Sequence, residues 1–170
     1  GNNSSCWPYD IDGNIYQPVT IGDQVWMAEN LKVTHYRNGD EIPNITNDNS
    51  WPNLTTGAYG DYENNISNTE IYGRYYNWYA VDDERGICPE EWHVPSDDEV
   101  KELEIYLGMS EAEANIEGWR GTDEGSKLSS KEELWADHNL EESPEFGTSG
   151  FAAIPAGIRF YNHGTFALMG

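Results

Sequence analysis

From about Asn38 to Asn68 the chain runs through Asn, Asp, Gly, Thr and Pro with no hydrophobic period of helix or strand. Trp51, Tyr59 and Tyr62 stand alone in this stretch as aromatic anchors. An aperiodic segment of this length inside a folded domain is either functional or stapled down by its own aromatics. Regular structure has to be sought on either side of it.

The flanks carry clearer signals. Residues 1 to 8 read as a polar tail and the domain proper runs from 9 to 170. Asp10-Ile-Asp12-Gly13-Asn14 supplies turn chemistry ahead of Ile15 to Thr20, Ile21-Gly22-Asp23-Gln24 makes a second turn, and Val25-Trp26-Met27-Ala28 returns, so residues 14 to 28 are predicted to form a hairpin. Tyr72 to Val81 is an aromatic run of ambiguous period, read here as a short helix. Pro95-Ser96-Asp97-Asp98-Glu99 is a helix start, because the Ser96 hydroxyl can accept from the Glu99 amide while the Glu99 carboxylate reaches back. Val100, Leu103 and Leu107 fall on one face and Gly108 stops the helix. Ser110-Glu111-Ala112-Glu113 repeats the pattern and predicts a second short helix up to Gly118. Residues 118 to 150 read as mostly irregular, pinned by Trp119, Leu128, Leu134, Trp135 and Phe146. Phe151 to Ile154 and Ile158 to Tyr161 read as strands joined across Pro155-Ala156-Gly157, and Phe166 begins another.

Composition narrows the function classes. A chain of 170 residues suits one domain, and 7 Trp with 11 Tyr are too many for an acidic chain that stays disordered. Against 31 Asp+Glu there are only 9 Lys+Arg, a formal charge of -22. That field opposes the phosphate backbone of nucleic acids and anionic lipid surfaces alike. No stretch approaches the ~20 apolar residues of a membrane-spanning helix, so the mature chain is expected to be soluble. Cys6 and Cys88 fit an exported protein with one disulfide, or else two unpaired buried thiols. The start, Gly1-Asn-Asn-Ser-Ser5, has neither a basic nor an apolar region, as if an export signal had been removed.

Five segments in order carry a resemblance. Gly13-Asn-Ile-Tyr16, Thr20-Ile-Gly-Asp-Gln-Val-Trp26-Met-Ala-Glu-Asn30-Leu31, Tyr72-Gly-Arg-Tyr-Tyr-Asn-Trp78-Tyr-Ala80, Cys88-Pro-Glu-Glu-Trp92-His-Val-Pro-Ser96-Asp-Asp-Glu99 and Gly150-Phe-Ala-Ala-Ile-Pro155-Ala-Gly157-Ile-Arg159 resemble the signature blocks of the Fibrobacter succinogenes major paralogous domain. That family consists of exported and lipid-anchored surface proteins, largely without assigned activity. The block from Trp92 to Glu99 is also similar to the helix-start motif of C-type lectin-like domains and of the formylglycine-generating-enzyme fold. The resemblance implies an α+β, C-type lectin-like fold with short helices, a twisted antiparallel sheet and long irregular loops forming a binding face. It further implies closing strands beyond Gly170, so the domain reads as C-terminally incomplete, or as completed by a strand from another chain. Relatives carry a cysteine near Tyr59-Gly60-Asp61 that is absent here, which implies that Cys88 pairs with Cys6.

The chemistry points away from catalysis. Oxidase relatives of the lectin fold need reactive cysteines late in the domain, and none follows Cys88. His35, His93, His138 and His163 show no HExxH spacing, and His93 is expected to serve a turn. Calcium is the plausible cofactor, because carboxylates and amides in loops suit a hard cation. Its candidate ligands are Asp82, Asp83 and Glu84, with Asp10, Asp12 and Asn14, and Asn47, Asp48 and Asn49, as further clusters, although Asp10-x-Asp12-Gly13 is more often a plain hairpin turn. Trp and Tyr faces stack on sugars and anchor protein interfaces. The ligand-binding candidates are Trp51, Tyr59, Tyr62, Tyr161 and His163, whereas Trp26, Trp78 and Trp92 are assigned to the core. The expectation is a secreted or cell-surface adhesion module, not an enzyme, that recognises a glycan or protein partner through the loops at 38 to 68 and 118 to 148. The alternative is a structural subunit of a surface assembly.

Overall fold

Short elements follow from a chain whose apolar residues come in clusters of two or three between turn residues. The computed structural model describes residues 7–136 and 140–167. In chain order its elements are β1 (Pro18–Ile21), β2 (Gln24–Met27), β3 (Tyr59–Gly60), α1 (Thr69–Tyr72), β4 (Tyr75–Tyr76), α2 (Trp78–Val81), α3 (Asp97–Tyr106), α4 (Glu111–Ala114), α5 (Glu124–Leu128), β5 (Ile158–Arg159) and β6 (Phe166–Ala167). Single 3-10 turns stand at Trp51–Asn53, Tyr62–Asn64, Ile66–Asn68 and Glu132–Leu134. The architecture is mixed α+β. Its strands form three separate two-stranded antiparallel ladders among the described residues, where one twisted sheet was expected.

The chain divides into two compact units. One gathers residues 7–17, 30–94 and 156–167. Its core is Val33, Tyr36, Ile42, Tyr59, Ala80 and Ile87, with Leu31, Tyr76, Val81 and Cys88 packed against it. The long polar stretch therefore contributes its few apolar residues to the core and leaves its amides and hydroxyls outside. Ladder contacts hold it in place: Tyr59 donates its amide to the Pro43 carbonyl, Ile45 donates to Tyr59, and β3 pairs with β4 through Tyr59↔Tyr76 and Gly60↔Tyr75. The run from Tyr72 to Val81 is not one helix. Gly73 adopts φ 70° and ends α1, β4 follows, and Asn77 restarts a single turn by accepting the Ala80 amide on its side chain. Trp78, assigned to the core from the sequence, is 68% exposed on that turn. At residues 158–167 the pairing is Ile158↔Ala167 and Arg159↔Phe166.

The other unit gathers residues 18–29, 95–136 and 140–155. The predicted hairpin is present and shorter than expected, from Pro18↔Met27 to Ile21↔Gln24 around Gly22-Asp23. Helix α3 begins with both halves of the capping box, the Ser96 hydroxyl accepting from the Glu99 amide and a Glu99 carboxylate oxygen accepting from the Ser96 amide at 2.8 Å. Leu103 is its buried residue, and α4 is capped by Ser110 but ends at Ala114. Phe151 to Ile154 is not a partner for Ile158. The Ala153 amide donates to Leu128 and the Ala153 carbonyl accepts from Ser130, forming a lone bridge beside α5, because Ala152 takes a left-handed φ of 63° that breaks the extended run. Trp26 packs its ring 5.5 Å from Phe151. Trp119, expected as a buried pin, is fully exposed, whereas Leu128, Leu134, Trp135 and Phe146 are half-buried.

Candidate functional site

Ladders of two residue pairs hold little by themselves, and the β5 hairpin owes its position to a buried cation. Arg159, 6% exposed, donates Nε to the Gly164 carbonyl at 2.9 Å and Nη1 to the Ile45 carbonyl at 2.7 Å, and its Nη2 lies 3.4 Å from Asp48 Oδ1. Its Cζ sits 3.9 Å from the Trp51 ring centroid and 4.7 Å from that of Phe166. Burial draws the Arg159 pKa down, with Asp48 opposing. One planar fork thus ties the polar stretch at Ile45 and Asp48 to the hairpin, while two aromatic faces replace its water.

What this anchor presents is the tip Tyr161-Asn162-His163-Gly164. Phe160 donates its amide to the Thr165 carbonyl and Gly164 donates to Phe160, closing the turn. Gly164 has φ 72°, and a Cβ there would lie 2.2 Å from the Asp48 carbonyl oxygen, so the tip presses on the polypeptide at Asp48 at a place only glycine permits. Tyr161 is 83% exposed. The exposed His163 ring stands 4.6 Å from Phe160, with Nδ1 2.7 Å from the Thr165 hydroxyl. Alongside is the turn at 47–50, where the Asn47 side chain accepts the Asn49 amide and both asparagines are exposed. The patch combines an aromatic face, an imidazole and several amides on a backbone fixed from beneath.

Of the five aromatic or histidine candidates, the structure brings Tyr161 and His163 together at the surface. Trp51 and Tyr59 are buried and serve as staples, one under Arg159 and the other in the core, where the guanidinium of Arg74 lies 4.9 Å over its ring. Tyr62 is half-buried in a ring cluster with Tyr72, Tyr75 and Phe166, at centroid distances of 5.4 to 6.3 Å. A second, largely buried cation completes the staple. Arg74 Nε lies 3.1 Å from Asp61 Oδ1, which also accepts from the Thr69 hydroxyl, while Asp61 Oδ2 accepts from the Asn44 amide. Neither Arg159 nor Arg74 was singled out from the sequence. The available signal was scarcity alone, since Ile158-Arg159-Phe160 alternates as a half-exposed strand would and marks Arg159 as an outward position.

The oxygen clusters considered for calcium are engaged by protein donors to different degrees. Asp10, buried, accepts from the Asp12 and Asn14 amides, the Asn14 side chain and the Tyr16 hydroxyl, which is the hairpin-turn reading. Asp12 accepts from Thr34 and lies 2.5 Å from His35 Nδ1; burial raises its pKa, but these bonds outweigh it and the net shift is downward. Asp83 receives Nε and Nη2 of Arg85, both at 2.8 Å, together with its amide, which holds the carboxyl down at about 2. Arg85 also binds Asp40 and lies 3.8 Å over the Tyr36 ring. Among the described residues no three of His, Cys, Asp and Glu converge as a ligand set. Cys88 is a free thiol whose pKa is pushed up by burial, Arg37 opposing, which leaves it a weak nucleophile. Its implied partner Cys6, like His138, lies outside the described residues. His93 stands exposed ahead of α3. No described helix is long and apolar enough to cross a membrane.

Comparison with known proteins gives one result. The sequence profile of the Fibrobacter succinogenes major domain matches residues 19–170. No curated protein and no solved structure gives a significant match.

Proposed function

The chain belongs to the Fibrobacter succinogenes major domain family, and from that premise we propose that it is a non-catalytic module of the cell surface that holds a neutral glycan against the Tyr161–His163 tip. A C-type lectin-like layout, suggested by the segment from Trp92 to Glu99, is part of the same reading. One observation carries it: an 83% exposed tyrosine on a turn whose base is fixed by the buried Arg159. Aromatic rings bury apolar sugar faces, and a ring on a fixed backbone loses little freedom on binding. Asn162, Asn47 and Asn49 supply amides suited to hydroxyl groups.

The ligand class follows from charge. Arg159, beneath the tip, directs its donors inward, and a chain of formal charge -22 repels acidic polymers. A neutral polysaccharide meets neither obstacle. No bound ion takes part in this reading. The test is retention of the chain on immobilised neutral and acidic polysaccharides, beside Tyr161→Ala and His163→Ala. Binding to a neutral polymer that drops about tenfold in Tyr161→Ala, with an unchanged melting temperature, is the expected result. Retention on acidic polymers only, or equal retention by Tyr161→Ala, would refute the proposal.

A further inference from the structure

The geometry points to a second recognition surface, on α2, where Trp78 and Tyr79 form a docking site for an arginine-rich segment of a partner protein. Trp78 is 68% and Tyr79 47% exposed, adjacent on a single helical turn. Neither exposure comes from a loose backbone. The Asn77 side chain accepts the amides of Ala58 and Ala80, both at 3.0 Å, and donates to the Thr56 carbonyl at 2.9 Å, while Ala80 is fully buried beneath. The turn is therefore fixed with its two largest side chains turned outward. A tryptophan in that position would gain by burial if the fold alone were served.

Charge identifies the occupant. Asp82 donates its amide to the Trp78 carbonyl at 2.9 Å, one turn further on, which sets its side chain on the same side of the turn as Trp78. Asp82 and Glu84 are exposed and have no ion pair among the described residues. The neighbouring cation, Arg85, is taken up by Asp83 and Asp40 and lies over Tyr36. The exposed Trp78 ring with Asp82 on the same side of the turn, on a chain of charge -22, complements a guanidinium, which stacks on the ring while its charge faces the acid, and Tyr79 next along the turn extends the aromatic surface. Acidic segments and neutral sugars lack one half of that match. This surface is separate in argument from the Tyr161 tip, and either can fail alone.

The experiment titrates the full chain with an octa-arginine peptide, an octa-glutamine peptide and free arginine at physiological salt, following the Trp78 indole N–H resonance, assigned by its loss in Trp78→Ala. Octa-arginine should shift that resonance and octa-glutamine should not. Free arginine should shift it only at far higher concentration, which separates a protein segment from the small cation. Affinity, measured for every variant by calorimetric titration, should fall about fivefold in Trp78→Ala and in Asp82→Asn, and stay unchanged in Trp119→Ala, which removes a still more exposed tryptophan elsewhere. Should Trp78→Ala melt early, Trp78→Leu and Tyr79→Ala give the same reading with the backbone turn kept. Equal losses in Trp119→Ala and Trp78→Ala, an unmoved Trp78 resonance, or a shift produced by a neutral oligosaccharide in place of octa-arginine would each overturn the assignment.

Discussion

Replacing Arg159 by alanine should unlatch the hairpin from the polar stretch, and the size of the effect can be worked from its contacts. The substitution leaves the carbonyls of Gly164 and Ile45 without the donors now 2.9 and 2.7 Å away. Hydrogen bonds from a charged donor contribute about 1.5–3 kcal/mol each. The faces of Trp51 and Phe166 lose a cation worth about 1–2 kcal/mol when shielded from water. Against these stands the release of a buried charge from its desolvation penalty, several kcal/mol in the other direction. The gross loss is about 4–8 kcal/mol, which the offset reduces to a net loss of about 2–4 kcal/mol, and at ~3 °C per kcal/mol for a chain of this size the melting temperature should fall by about 6–12 °C. Arg159→Lys keeps the charge but loses the planar fork, and should recover less than half of the loss. The assay is calorimetry together with amide hydrogen exchange at Phe160, Gly164 and Ile45, all of which should exchange faster in the alanine variant. If Arg159→Ala melts within about 2 °C of the parent chain, or if lysine restores it fully, the fork does not hold the tip.

Three further predictions follow from particular contacts. Gly57→Ala places a Cβ 1.8 Å from the Tyr36 hydroxyl oxygen and 3.1 Å from Ala80 Cα; it should destabilise the chain by about 2–3 kcal/mol, and Tyr36→Phe in the same chain should recover most of that on a denaturant curve. Ser96→Ala removes one half of the capping box, for a loss of about 1 kcal/mol measured by urea unfolding, with faster amide exchange confined to the first turn of α3. Asp83 has its carboxyl held at about 2 by Arg85 in the folded chain, against an ordinary 3.8. A depressed folded value means that the pair stabilises fully above about pH 4 and loses that contribution as pH falls towards 2; Asp83→Asn should flatten the pH dependence of the melting temperature in that interval and leave it unchanged at neutral pH relative to its own plateau.

Legibility in the sequence tracked how local the cause was. The capping box at Ser96 and Glu99 and the hairpin around Gly22-Asp23 were readable because each is closed by residues a few positions apart. The break inside Tyr72 to Val81 was not, since Gly73 and Asn77 impose three conformations on a run whose aromatic spacing suits helix and strand alike. Nor was the misassignment of Trp78 avoidable by composition: tryptophan is highly buried on average, and nothing local marks the turn that exposes it. At the candidate site, Tyr161 and His163 were legible as polar aromatics near turn residues. Their placement was not, because Arg159 acts on Ile45 and Asp48 across more than a hundred positions of chain.

That long reach bears on why so polar a stretch is ordered at all. The segment from Asn38 to Asn68 cannot bury enough apolar surface to offset the entropy of fixing its backbone, and its carbonyls would be unpaired if simply packed inward. Two arginines answer both demands. Each fork supplies donors to carbonyls or carboxylates, Arg159 to Ile45 and Asp48 and Arg74 to Asp61 and Lys32, and each guanidinium lies over an aromatic ring of the stretch itself, Trp51 or Tyr59. Of the aromatic anchors that look from the sequence like ligand platforms, Trp51 and Tyr59 are used up as the surfaces on which these cations rest, and Tyr62 is taken into a ring cluster with Tyr72, Tyr75 and Phe166. The two proposed recognition surfaces rest instead on exposed aromatics that no cation covers, Tyr161 at the hairpin tip and Trp78 on α2. Scarcity of basic residues sharpens the distinction on α2, where an exposed Trp78 near the exposed Asp82 suits the proposed partner that brings the missing charge.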